Sequence, residues 1–302
     1  MLRTPEHPHI PAKSGYIFAL LATIIWSGNF IVARGLADEF SPVLLAFFRW
    51  LTASIVLLPF GLPGLIREWK EIRANLFHLI LCSFLGITIF NTLIYIAGKH
   101  TTAMNLSLIA VFSPVFIILL ARVFLHDPIT LRRLVGLLLA ISGVIVLTTQ
   151  GDISLLTNLQ LNIGDLWMIL ATAIFAAYSI LVRRKPPHIS PTTYLTATFF
   201  FGLLMLVPWA AWDWMCTPPS MPSAHVIGSV LFVGIGPALI SYMCWNKAVA
   251  SIGPVKSGMV YYSLPLFSGL EAWLFLDENI TWIHGLAGVL IILGISVATT
   301  RK

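Results

Sequence analysis

Apolar residues arrive along this chain in unbroken runs of about 20, set apart by short polar segments, and no run shows the two-residue alternation of a half-buried strand. A run of that length crosses a bilayer only as a helix, because lipid offers no partner to a bare peptide group. About ten such helices are predicted, over residues 15–34, 42–61, 75–97, 103–124 and 131–149 in the first half. The second half gives 164–183, 192–209, 226–250, 254–276 and 282–300. The expected fold class is all-α integral membrane, with ten transmembrane helices.

Between the second and third runs, residues 62–75 interleave Leu65, Ile66, Trp69 and Ile72 with Arg67, Glu68, Lys70, Glu71 and Arg73, a pattern that suits a short helix lying on the inner interface. Trp209, Trp212 and Trp214 close the seventh run and are expected in the outer aromatic belt.

Composition sharpens this picture. With 58% hydrophobic and 10% charged residues and a mean hydropathy of +0.91, the chain has too few polar side chains to cover a water-soluble globule of its size. The formal charge of +6 would suit nucleic acid in a soluble protein. Here topology absorbs it: with the amino terminus inside, about 15 Lys and Arg fall on the cytoplasmic side, Arg34 and Lys99 face outward, and Arg49 stays within the bilayer. Both termini are therefore expected in the cytoplasm of a multi-pass protein of the cell inner membrane, with no basic patch left for nucleic acid. Residues 1–14 read as a cytoplasmic tail without the apolar core of a signal peptide. Cys82, Cys216 and Cys244 are too scattered for a disulfide framework or a metal site, and no cofactor is implied.

The chain repeats itself. An offset of about 149 lays 15–34 on 164–183, Ser41-Pro42 on Ser190-Pro191 and Pro59 on Pro208; after a gap, an offset of about 151 lays Pro114 on Pro265, Gly143 on Gly294 and Thr148-Thr149 on Thr299-Thr300. Two five-helix units follow, 15–150 and 164–302. An odd number of spans per unit inverts the second relative to the first, an arrangement suited to opening alternately on either side of a membrane.

These duplicated units, Trp26-Ser-Gly-Asn-Phe in the first helix, Pro42 followed by Phe48-Arg49-Trp50, the prolines of the fourth and ninth helices and the Leu276-Asp-Glu-Asn-Ile-Thr…Gly294 ending resemble the drug/metabolite transporter superfamily, EamA type. The resemblance implies a central cavity lined by the first, third, fourth, sixth, eighth and ninth helices, and export of amino acids or related metabolites. His126-Asp127 departs from the pattern where Glu278 keeps it, which weakens an ion role for that position.

Several residues could serve such a cavity. Asn29 and Tyr178 occupy matching positions one turn beyond Trp26 and Phe175, and a carboxamide or phenol in hydrocarbon needs either a wet cavity or a partner helix. Asn91 and Tyr95 share one helix face, as do Tyr242 and Trp245, with Tyr261 and Tyr262 adding aromatic surface that could line a pocket or simply pack. Arg49 aligns with Thr198 and so breaks the repeat; it would hold a substrate carboxylate or clamp the fold. Glu271, aligned with Leu120, is a candidate proton carrier or an outer-side helix partner. Pro114 and Pro265 near mid-helix are candidate hinges, or packing kinks.

No HExxH, GxSxG or paired-Asp pattern points to an enzyme. The expected partners are a small-molecule solute and the bilayer, with a proton as the coupling ion to test and monomer or homodimer both open. Nucleotide-sugar or sugar-phosphate exchange is the rival within transport, and a receptor or scaffold the rival outside it.

Overall fold

The computed structural model describes residues 12–36, 38–101, 106, 109–149, 152, 162–218, 222–276 and 281–299. Residues 1–11 of the tail, and Glu278, lie outside them. The described residues are helical, without strands. In chain order the helices are α1 (Ala12–Gly35), α2 (Pro42–Arg67), α3 (Trp69–Ala74), α4 (Leu76–His100), α5 (Ser113–Phe124) and α6 (Leu131–Thr148). There follow α7 (Ile163–Arg183), α8 (Pro191–Cys216), α9 (Ala224–Ile252), α10 (Pro254–Tyr261), α11 (Leu264–Leu276) and α12 (Trp282–Thr299). Six of them, α2, α4, α7, α8, α9 and α12, are long and apolar enough by themselves to cross a membrane.

Local chemistry sets the helix starts. Ser41 and Ser190 cap α2 and α8, each with Pro at the first helical position, where a missing N–H costs nothing. Asn162 and Asp165 form a capping box at α7. At the end of α5, Asp127 N–H reaches back to Ala121 O with His126 at φ 57°, a left-handed turn that stops the helix.

Three expectations need adjusting. The stretch 62–75 is not one interfacial helix: α2 runs on through Pro63 to Arg67, and only α3 is separate, with Ile72 buried and Trp69 exposed. The apolar run 254–276 is broken at Tyr262 and Ser263 into α10 and α11. Pro265 therefore sits in the first turn of α11 rather than at mid-helix, and Pro114 sits likewise at the start of α5 after a turn at Val111 and Phe112. A proline is tolerated there because the first-turn N–H has no intrahelical partner to lose.

The helices pack chiefly as α6 on α12, α2 on α8, α1 on α9 and α4 on α7. The first two pairs join segments that match in the sequence repeat, and both run antiparallel. Ser41, at the start of α2, donates its hydroxyl to Asp213 near the end of α8. At the other end of the pair, the Ser190 N–H donates to Glu68 Oε2 at 2.8 Å, just past the end of α2. Along α6 and α12 the backbones nearly touch: a Cβ at Gly136 would lie 2.5 Å from Gly294 O, and one at Gly294 would lie 2.6 Å from Gly136 O. Small residues permit this approach, which gives lipid-embedded helices their dispersion contact.

Candidate functional site

Two of the long helices are locally unwound. α4 holds a π-helical turn at Phe84–Ile89 and α9 one at Gly234–Ile240, and Gly86 matches Pro237 at the second repeat offset. Such turns widen the helix and redirect its carbonyls, and they occur often at functional sites. Both carbonyls at these matching positions accept from side chains of other helices: Trp26 Nε1 donates to Pro237 O at 2.9 Å, and Tyr242 Oη donates to Gly86 O at 2.6 Å.

Around these two points the aromatic residues converge. The Trp26 ring lies 5.5 Å from Phe175, 5.3 Å from Trp245, 5.8 Å from Tyr242 and 6.0 Å from Tyr261. Tyr178 packs 5.6 Å from Tyr242 and donates its hydroxyl to Asn246 Oδ1 at 2.9 Å. Edge-on and tilted pairs of this kind contribute roughly 0.5–1.5 kcal/mol each beyond their burial, so the cage holds its own shape. Beside it Trp26, Asn29, Phe90, Asn91, Ile94, Phe175 and Tyr261 enclose a cavity of about 10 Å³, the room of a single water. The larger concavity, about 380 Å³ between Leu65, Ile66 and Trp69, is a shallow apolar surface groove on which no polar group converges.

Two polar groups run through the cage wall. Arg49 Nη1 donates to Asn29 Oδ1 and to Tyr95 Oη, both at 2.7 Å, and Tyr95 Oη donates to Asn29 Oδ1 at 3.2 Å. Asn91 Nδ2 donates to Tyr242 Oη at 3.0 Å. The guanidinium lies 5.3 Å from the Trp50 ring and 6.0 Å from the Tyr95 ring, within cation–π range. Arg49 is fully buried, and its Nε and Nη2 have no acceptor; each such orphan donor costs roughly 1–3 kcal/mol.

Of the residues singled out in the sequence, Trp26, Asn29, Asn91, Tyr95, Tyr178, Tyr242, Trp245, Tyr261 and Arg49 thus belong to one connected cluster. Tyr262 is buried in the same core, but its ring is not among those against Trp26, and its hydroxyl has no partner. Glu271 stands apart, accepting from Ser27 Oγ at 2.6 Å. Pro114 and Pro265 mark helix breaks. Sequence reasoning left out Phe90, Ile94, Phe175 and Trp50 as site residues. Phe175 was recoverable as the repeat partner of Trp26, and the Gly86/Pro237 match could have marked the two π-turns.

Comparison with known proteins decides the family. A sequence profile described as the EamA-like transporter family matches residues 13–149 and, a second time, residues 162–300. The chain belongs to the EamA-like transporter family. It is 25% identical to an uncharacterized transporter of Archaeoglobus fulgidus, over 95% of this chain and 98% of the relative. It is 26% identical to an uncharacterized transporter of Bacillus subtilis, over 94% and 93%. A probable terminal-alkyne amino-acid exporter of Streptantibioticus cattleyicolor is 27% identical, over 94% and 93%. A protein of known crystal structure superposes with a TM-score of 0.72 at 20% identity, covering 95% of this chain and 96% of the other, a likeness of fold. This EamA protein is a multi-pass membrane transporter of the drug/metabolite transporter superfamily and not an enzyme, and its partners are a small-molecule solute and the lipid bilayer.

Proposed function

We propose that this EamA protein exports an amino acid or a related small metabolite across the cytoplasmic membrane by alternating access, through two inverted five-helix units (15–150 and 164–302) with both termini inside. The carrying observation is the cage itself. Side chains from α1 and α4 in the first unit and from α7 and α10 in the second meet on one buried cavity, with a carbonyl of each π-turn tied across the interface. A merely structural core of a lipid-embedded protein has no need of two carboxamides and a guanidinium at its centre, since unsatisfied polar groups are costly there. The antiparallel α2/α8 and α6/α12 pairs and the double profile match support the inverted arrangement, and the amino-acid exporter among the relatives supports the solute class.

At about 10 Å³ the cavity is too small for any such solute, so on this reading it opens to load. Helix breaks at Pro114 and Pro265, where α5 and α11 begin, support reading these prolines as the hinges of that opening. Counterflow of radiolabelled amino acids in proteoliposomes tests the reading. Saturable flux in the wild type, lost in Trp26→Ala and Asn91→Ala, is expected. Flux of nucleotide sugars without flux of amino acids would overturn the solute class in favour of the exchanger.

A further inference from the structure

We propose that Arg49 is a carboxylate reader, so that the transported solutes are monoanionic at one end and bind through a two-oxygen fork. The inference rests on the export reading above and names the chemical handle by which that site selects.

Nη1 is fully engaged by Asn29 and Tyr95. The two donors without an acceptor are Nε and Nη2, which lie on the same edge of the planar group. That edge presents two parallel N–H bonds at the spacing of two carboxylate oxygens, the bidentate geometry that distinguishes arginine from a point charge. Asn29 and Tyr95 hold the opposite edge, so the free edge is preset in direction. Trp50, the ring beside the guanidinium, has a third buried donor without an acceptor, its Nε1. Three unmet donors call for a ligand group that only accepts.

Charge narrows the class further. No ion pair joins Arg49 to a carboxylate among the described residues, and it is the one buried cation among them. A phosphate or diphosphate of higher charge would leave negative charge uncompensated in a low-dielectric site; a single carboxylate balances the guanidinium. Asn29 connects this fork to transport, since it both orients Arg49 and lines the cavity. The apolar body of the solute then falls against the aromatic walls, Trp26 and Tyr261 among them. Arg49 has no counterpart in the other half, where Thr198 stands at the matching position, which gives an asymmetric solute one defined end.

Calorimetric titration of the purified full chain at pH 7 tests this with L-phenylalanine and L-leucine against their carboxamides, which keep shape and amine but lose the acceptor pair. In the wild type each acid should bind about tenfold or more tighter than its amide. The ratio should fall to about one in Arg49→Gln and to an intermediate value in Arg49→Lys, which keeps charge without the fork. A ratio near one in the wild type, a comparison that needs no variant to fold, overturns the proposal. So does an unchanged ratio in an Arg49→Gln protein that is monodisperse and helical. Equal binding of acid and amide leaves the export reading standing and removes the carboxylate reader alone. Failure of every acid and amide to bind removes the amino-acid reading, and this inference with it.

Discussion

At Gly86 a single methyl group would meet the ring of Tyr178, with Cδ2 only 2.2 Å from the new Cβ. The aromatic cannot give way, because its hydroxyl is bonded to Asn246 and its face is packed on Tyr242. Gly86→Ala is therefore expected to lower stability by about 1–3 kcal/mol, the usual cost of overpacking. Adding Tyr178→Ala should cancel most of that penalty, and thermal melts of the two single variants and the double variant read the coupling directly; strict additivity would contradict the contact. Glu271 poses a different question. It is a half-buried carboxylate that takes the hydroxyl of Ser27, the residue after Trp26. If it carries the coupling proton, Glu271→Gln should abolish accumulation driven by a pH gradient in vesicles while downhill exchange persists, and unchanged accumulation would exclude the role. At this scale the polar residues of the candidate site were legible in the sequence, since Asn29, Arg49 and Asn91 stand out against an apolar background. Phe90, Ile94 and Trp50 were not, because one more apolar side chain in an apolar helix carries no contrast.

The elements are held by contacts at their ends as much as along their lengths. Glu68 links the end of α2 to the cap of α8, and its environment shifts its acidity. Burial pushes its pKa up, but the Ser190 N–H, Arg67 and the Thr193 and Ser190 hydroxyls outweigh that and hold the carboxyl below its ordinary value of 4.5. A carboxylate with a depressed folded-state pKa stabilises fully above the unfolded value, and that contribution is lost as pH falls through the folded one. Melting midpoints measured downward from pH 6 should thus fall more steeply below about pH 4.5 in the wild type than in Glu68→Gln; parallel curves would contradict the latch. The α6/α12 seam makes a stronger demand. With backbone oxygens 2.5 and 2.6 Å from either added Cβ, Gly136→Val and Gly294→Val should each separate the pair and sharply reduce the yield of monodisperse protein. Hydropathy located these helices well, because it measures the solvent they face. It missed the breaks before Pro114 and Pro265 and the two π-turns, because an apolar run reads the same whether its backbone is continuous, widened or kinked.

At the scale of the whole molecule, the family profile matches the chain twice, over residues 13–149 and 162–300. Of the helices that the sequence offsets match, the structure sets two pairs, α2/α8 and α6/α12, antiparallel against each other, with Glu68 and Asp213 latching opposite ends of α2/α8. The offsets do not say how the halves differ, and the proposed chemistry rests on those differences: Arg49 against Thr198, Asn29 against Tyr178, Glu271 against Leu120. Under the proposed alternating access, the closed cavity opens in turn to each face. Cysteine accessibility measures this most directly, with Ile94→Cys at the cavity wall in a chain carrying Cys82→Ala, Cys216→Ala and Cys244→Ala. In sealed vesicles of either orientation, a membrane-impermeant thiol reagent should label Cys at position 94 from both sides, and a transported solute should slow both reactions. Protection from both sides, equal to that of a cysteine placed at Ala140 in the α6/α12 seam, would contradict alternating access through this cavity.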